Sequence, residues 1–210
     1  IRELADEAHV STTTIFRFCK KLNCEGFSEF KLKFKMYIEE NNIKKVSDDT
    51  SEIINFLKNI ENSDLDKRLE KLCELVKEAN SIIFLGIGSS GVLCKYAARY
   101  FSAIGKFTVH IDDPFFPKNF KCNDDCLVIA LSVSGETPTT IENVNRFKEE
   151  GCTIASITNT ENCTIAKISN LNLPYYVQQI KANYSDITTQ IPVLYMIERI
   201  GKKLYNQYSI

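Results

Sequence analysis

Net charge is almost missing from this 210-residue chain: 26 Lys and Arg stand against 27 Asp and Glu. No global positive excess points to nucleic acid, so any such footprint must be local. Long apolar runs are missing as well. The longest, such as 82–85 and 127–131, are strand-sized and far below the roughly 20 residues of a membrane helix, and no secretory leader pattern opens the chain. A cytoplasmic protein is expected. Histidine is scarce, with only His9 and His110, which removes most of the side chains that move protons near neutrality; His110 falls in a predicted strand, where a buried structural role is expected. Cysteine is plentiful at eight, but paired spacing is lacking. Cys122 and Cys126 come nearest to a metal pair, and no second pair or neighbouring His completes it. Free structural thiols in a reducing compartment are expected, with no metal and no cofactor. An initiator Met is also absent, and Ile1 runs straight into a helical pattern, as expected of a fragment.

What is present is ordinary globular material, 44% hydrophobic and 25% charged, long enough for one sizeable domain and a small one. Residues 1–8 carry apolar side chains at 1, 4, 5 and 8, one face of a short helix. His9-Val10-Ser11 interrupts it, with Ser11 placed to cap the next helix. His9 stands where many such turns have Gly, and His tolerates a left-handed backbone better than most residues. The next helix directs Ile15, Phe18, Cys19 and Leu22 inward and shows Thr12, Thr13, Phe16, Arg17, Lys20 and Lys21 on the opposite face. No acidic residue occurs from Ala8 to Cys24, so this helix gathers positive charge in a nearly neutral chain. The pattern is that of a helix-turn-helix; an amphipathic hairpin with a solvated basic face is the plainer alternative.

Phe16-Arg17-Phe18-Cys19-Lys20-Lys21-Leu22, followed by Gly26-Phe27-Ser28-Glu29-Phe30-Lys31, resembles the amino-terminal domain of the RpiR family of bacterial transcription regulators. The resemblance implies that Thr12, Thr13, Arg17, Lys20 and Lys21 lie on the helix that enters the major groove of operator DNA, and that Gly26-Phe27 starts the closing helix. It also implies family helices ahead of Ile1. The closing helix fades at 39–42. Residues 1–42 therefore read as the DNA-binding domain, 43–63 as a polar linker in which 51–60 can form a short helix, and 64–210 as the second domain.

In that second domain Leu65, Leu69, Leu72, Cys73 and Val76 have helical spacing. Short apolar runs then alternate with amphipathic stretches, at 82–85, 108–111, 127–131, 153–158 and 173–177. This predicts an α/β fold, a doubly wound, mostly parallel five-stranded sheet behind a small all-α segment. Ligands bind such sheets beyond the carboxyl ends of the strands.

The first such end reads Gly86-Ile87-Gly88-Ser89-Ser90-Gly91 and opens a helix, whose free N–H groups suit an anion. It is also the dinucleotide fingerprint, with Asp112 where a ribose-binding acid belongs; on these residues alone nucleotide, sugar phosphate and structural turn stay open. The third strand end reads Ser132-Val133-Ser134-Gly135-Glu136-Thr137 before a helix near Pro138. Three hydroxyls, a Gly and a helix start make a second anion cradle that a dinucleotide does not require. A Ser/Thr-rich helix cap without ligand is the plainer alternative.

These two loops together resemble the sugar isomerase (SIS) domain, from about residue 64 to 209. The resemblance implies that Ser132, Ser134 and Thr137 hold a phosphate, that Ser89 and Ser90 face the sugar with Gly88 beside them in the ligand site, and that two or more copies pair as a homodimer or homotetramer. Gly135 and Glu136 complete the expected site. Glu136 is the tempting base for isomerisation, but capping its helix or touching ligand is the expected role, and no catalytic residue is assigned. Segment 185–208 has a helical pattern with Pro192 near its start and an apolar face at Ile191, Leu194, Tyr195 and Ile197. Related regulators often carry Ser-Arg where this chain has Ser185-Asp186, which leaves one anion contact fewer. An effector-controlled regulator follows as the first reading, an isomerase-type enzyme as the second and an NAD-binding protein as the third.

Overall fold

The computed structural model describes residues 1–41, 49–61, 63–117, 119–122, 125–182 and 185–208, and the chain divides into units Ile1–Ser47 and Asp48–Ile210. The first unit holds α1 (Arg2–Glu7), α2 (Thr12–Lys21) and α3 (Phe27–Asn41). His9 takes φ 52°, and Ser11 caps α2 by accepting from the Thr14 N–H at 3.1 Å, both as the sequence predicts. Ala5, Ile15, Cys19 and Cys24 form its small core. Phe18 and Leu22, expected inside, are 47% and 49% exposed. They lie off the line along which α2 meets its neighbours, and Phe18 is covered on one side only, by an edge-on contact with Phe30 at 5.6 Å.

The second unit is built on a sheet of β1 (Ser81–Leu85), β2 (Thr108–Ile111), β3 (Cys126–Ser132), β4 (Thr153–Thr158) and β5 (Leu171–Pro174). The strands lie in the order β2-β1-β3-β4-β5, and every neighbouring pair is parallel. Strand side chains alternate between faces. Ile82, Phe84, Leu127 and Ile129 therefore pack with α5 (Asp64–Glu78), α6 (Ser89–Ala103) and α9 (Ile191–Tyr208). Ile83, Leu85, Val128 and Ala130 pack with α7 (Pro138–Glu149) and α8 (Thr164–Ile168) on the other side. The expected doubly wound fold is thus present, and it is parallel throughout the five-stranded sheet.

The short helix expected at 51–60 is present as α4 (Asp49–Ile60), which buries Ile60 and sets Phe56 edge-on against Tyr195 of α9 at 6.1 Å. Its apolar side chains find a groove that local polarity conceals; residues 42–48 lie outside the described residues. The last strand begins at Leu171 rather than 173, because the Asn172 amide is fixed inside the sheet on Ser156 Oγ and Thr158 Oγ1; Pro174 is tolerated on this edge strand, where an absent N–H costs no ladder bond. Residues 185–190 are not helical. Ser185–Asp186 pairs as β7 with β6 (Lys181–Ala182), and α9 starts at Ile191 with Pro192 in its first turn, where no N–H partner is needed. Its buried stripe is Val193, Met196, Ile197, Ile200 and Leu204, while Ile191 is 46% exposed. Among the described residues no helix is long and apolar enough to cross a membrane.

Candidate functional site

From β1 the chain moves to β2 on one side, and β3 lies on the other, so the order reverses between β1 and β3. A crevice opens at such a switch point because the helices leaving the two strands go to opposite faces. Here α6 packs on one face and α7 on the other. Both Gly- and Ser-bearing loops end on this crevice.

The crevice is a cleft of about 290 Å³ lined by residues of both loops, Ile87–Ser90 and Leu131–Ser134, with Thr137 and Thr140 of α7 and Ser185, Asp186 and Gln190 from the approach to α9. Its size, near the lower end of the usual small-molecule range of about 300–1,000 Å³, suits a monosaccharide better than a dinucleotide. Gly88 is the N-cap of α6 at φ 64°, ψ −131°, with no side chain to occupy the first N–H groups of the helix. Ser90 is buried and donates to Gln190 Oε1 at 3.3 Å.

The second loop is held open by its own hydroxyls. Ser132 Oγ accepts from the Gly135 N–H at 3.1 Å and Ser134 Oγ from the Glu136 N–H at 3.2 Å. A hydroxyl that accepts from the backbone still has its own proton to donate, so both are set as donors. Gly135 takes φ 64°, and a Cβ there would run into Cys163. Thr137 is the N-cap of α7 yet makes no side-chain capping bond. One turn further on, Thr140 is 1% exposed, and its hydroxyl oxygen is buried without a hydrogen-bond partner. The positive ends of two helices and this set of hydroxyls make a cradle for an anion.

Of the predicted ligand residues, Gly88, Ser89, Ser90, Ser132, Ser134 and Thr137 line the cleft; Gly135 and Glu136 do not. The Glu136 carboxylate caps α8 instead of its own helix, accepting from the Thr164 N–H at 2.7 Å and the Thr164 hydroxyl at 2.8 Å. These bonds, with Lys167 nearby, hold its pKa below the ordinary 4.5. Asp112 is outside the lining too. It backs the first loop at Gly91, where an added Cβ would lie 2.8 Å from the Asp112 Cβ. His110 is half-buried on the edge strand β2, away from the cleft. Thr140 was legible as the second hydroxyl of Thr137-x-x-Thr140, three residues along one helix face. Ser185 and Asp186, marked by the resemblance alone as the place of a Ser-Arg pair in related regulators, also line the cleft, as does Gln190, which no local pattern announces.

Asp186 is the cleft's one carboxylate among the described residues, and no Lys or Arg lines it. Partial burial pushes the Asp186 pKa up, but hydrogen bonds from Thr188 and Gln179, with Lys181 nearby, outweigh it and leave the group below its ordinary 3.8. At the opposite, amino-terminal edge of the sheet the Sγ atoms of Cys122, Cys126 and Cys152 lie within 4.8 Å of one another. Cys152 is the neighbour that spacing around Cys122 and Cys126 could not supply. Burial pushes Cys122 up, and Cys152 up to about 11, so these two thiols stay protonated at neutral pH. All eight cysteines are free.

On the basic helix α2, Thr12, Thr13, Arg17, Lys20 and Lys21 are all exposed, and Lys20 lies over the Phe16 ring at 5.5 Å. Lys20 and Lys21 occupy its last turn, favoured there by the helix dipole.

Two family models match the chain: the helix-turn-helix domain of the rpiR family over residues 1–41 and the SIS domain over residues 75–197. The HTH-type transcriptional regulator GlvR of Bacillus subtilis is 29% identical over 99% of this chain and 81% of its own length. HexR of Escherichia coli, also an HTH-type transcriptional regulator, is 27% identical over 75% of this chain and 60% of its own. The fold matches that of the Vibrio vulnificus NanR protein, solved in complex with ManNAc-6P, with a TM-score of 0.67 and 20% identity over 99% of this chain and 79% of that one. The chain belongs to the RpiR family of HTH-type transcriptional regulators, a helix-turn-helix segment followed by a SIS domain.

Proposed function

We propose that this regulator works in the cytoplasm as a homo-oligomer, and that a phosphorylated sugar seated in the cleft controls how α2 engages operator DNA. The observation that carries the reading is the convergence at one switch point of two helix starts without side-chain caps, the donors Ser132, Ser134 and Thr137, and the buried, unpartnered Thr140 hydroxyl. The phosphate sits over the second loop. Gly88, Ser89 and Ser90 meet the sugar, and Gly135 and Glu136 shape the loop from behind. NanR's complex with ManNAc-6P lends support by likeness of fold. Two-fold pairing of SIS domains presents paired α2 helices to paired half-sites, with Arg17 directed at a base edge and Thr12, Thr13, Lys20 and Lys21 at the backbone.

The cleft senses and does not catalyse. Glu136 is committed to Thr164, and Asp186, held below the ordinary carboxylate range, is a poor proton acceptor. A thermal-shift panel of sugar phosphates and nicotinamide cofactors tests the reading, because a ligand that binds only the folded state raises the melting temperature by mass action. A sugar phosphate should shift it and also change DNA occupancy. A shift with a nicotinamide cofactor alone, or turnover of a sugar phosphate that Glu136→Gln abolishes, would contradict it.

A further inference from the structure

Resting on the phosphorylated-sugar reading, we infer that the cleft contains a second subsite, for an ammonium group, at Asp186, and that the effector is a phosphorylated amino sugar with a free amine. The argument is one of charge. A sugar phosphate brings about −1.5 to −2 at neutral pH, and the starts of α6 and α7 answer that charge at the two loops. The remaining wall is the approach to α9, tied to the first loop by the Ser90–Gln190 bond. It carries a carboxylate and no cation among the described residues.

That carboxylate is fixed in place. Gln179 Nε2 donates to one oxygen at 2.7 Å, the Thr188 N–H to the other at 2.9 Å, and the Thr188 hydroxyl also supports the charged form. A carboxylate has about four acceptor positions, so positions remain for a ligand. Lys181, opposite Asp186 in the β6–β7 register, is the nearby cation; it is exposed and outside the lining.

The phosphate of a neutral sugar meets at this wall a like charge that Lys181 offsets only from outside the lining, and an acid-sugar phosphate adds a second negative group. A protonated amine instead makes a charge-assisted hydrogen bond to Asp186 and leaves the ligand zwitterionic, with its negative end over the helix starts. The chemistry that recognises Asp186 is therefore a primary ammonium on the ring, unacylated, since an amide carries no charge.

The test is calorimetric titration with pairs of hexose 6-phosphates that differ only at C2, –NH₃⁺ against –OH: glucosamine and glucose, mannosamine and mannose, galactosamine and galactose. Inorganic phosphate and 6-phosphogluconate serve as references. In at least one pair the amino sugar should bind about tenfold more tightly, and 6-phosphogluconate should be weakest. Asp186→Asn, which keeps an acceptor for the hairpin, should reduce that gap below about twofold and, with one negative charge fewer in the wall, should not weaken inorganic phosphate. Lys181→Ala removes the competing cation without touching the lining and should widen the gap, so the test survives a misfolded Asp186→Asn. Equal binding within every pair, or a gap that persists in Asp186→Asn or narrows in Lys181→Ala, overturns the ammonium subsite. If inorganic phosphate binds and no amino sugar is preferred, only this inference falls; if neither inorganic phosphate nor any sugar phosphate binds, the phosphorylated-sugar reading falls with it.

Discussion

Ser90 Oγ and Gln190 Oε1 are 3.3 Å apart across 100 residues of chain, and this bond closes the cleft by joining the start of α6 to the approach to α9. Ser90 is 7% exposed. Gln190→Ala therefore strands a buried hydroxyl, at a cost of about 1–3 kcal/mol. Urea unfolding should show a lower midpoint, and effector affinity should fall in parallel because one wall of the cleft loosens.

Gly135 leaves no room for a side chain. Its φ of 64° and the place its Cβ would take beside Cys163 make Gly135→Ala unfavourable twice over. Left-handed backbone costs roughly 1–2 kcal/mol for a residue with a side chain, and the collision adds to it. Denaturant titration should register a loss of at least about 2 kcal/mol, whereas Gly26→Ala, with open space around it, should cost far less.

The sheet and the two loops were legible in the sequence because each rests on local chemistry: apolar runs of strand length, glycines where the backbone turns, hydroxyls at a helix start. The correct strands at 108–111 and 153–158 follow from that alone. What escaped depends on distant partners. The sequence allows for the short helix at 51–60 but not for its packing against Tyr195, and Asp186 enters the cleft only because β6 and β7 pair before α9. Glu136 was read as capping its own helix or touching ligand, but Thr164, 28 residues later, offers both an N–H and a hydroxyl. Asp112 matched a ribose acid by position, and packing against Gly91 places it outside the cleft.

The Glu136 cap carries a pH signature. Its folded pKa lies below the ordinary 4.5 because the Thr164 N–H and hydroxyl favour the carboxylate. A depressed folded pKa stabilises the protein above the unfolded value, and that contribution is lost as pH falls from about 4.5 through the lower folded one. Glu136→Gln should lower the melting temperature at pH 7 and narrow its distance from the parent protein as pH falls through that window. A constant difference at every pH would mean that charge plays no part in the cap.

For the basic helix, Arg17→Ala should weaken binding to a selected operator fragment by roughly 1–3 kcal/mol and relax sequence preference at one position, while Lys20→Ala should weaken all sequences alike and reduce the salt slope by about 1. Fluorescence anisotropy at several salt concentrations separates the two effects.

The most direct test of the sugar-phosphate assignment compares Ser134→Ala with Asp112→Ala in calorimetric titrations of the best effector. Ser134 lines the cleft and Asp112 does not. Removing a hydroxyl that donates to a charged phosphate costs about 1.5–3 kcal/mol, or roughly ten- to a hundredfold in affinity. Ser134→Ala should lose that much with its fold intact, and Asp112→Ala should bind as the parent does; abolished binding in Asp112→Ala with full affinity in Ser134→Ala would contradict the account.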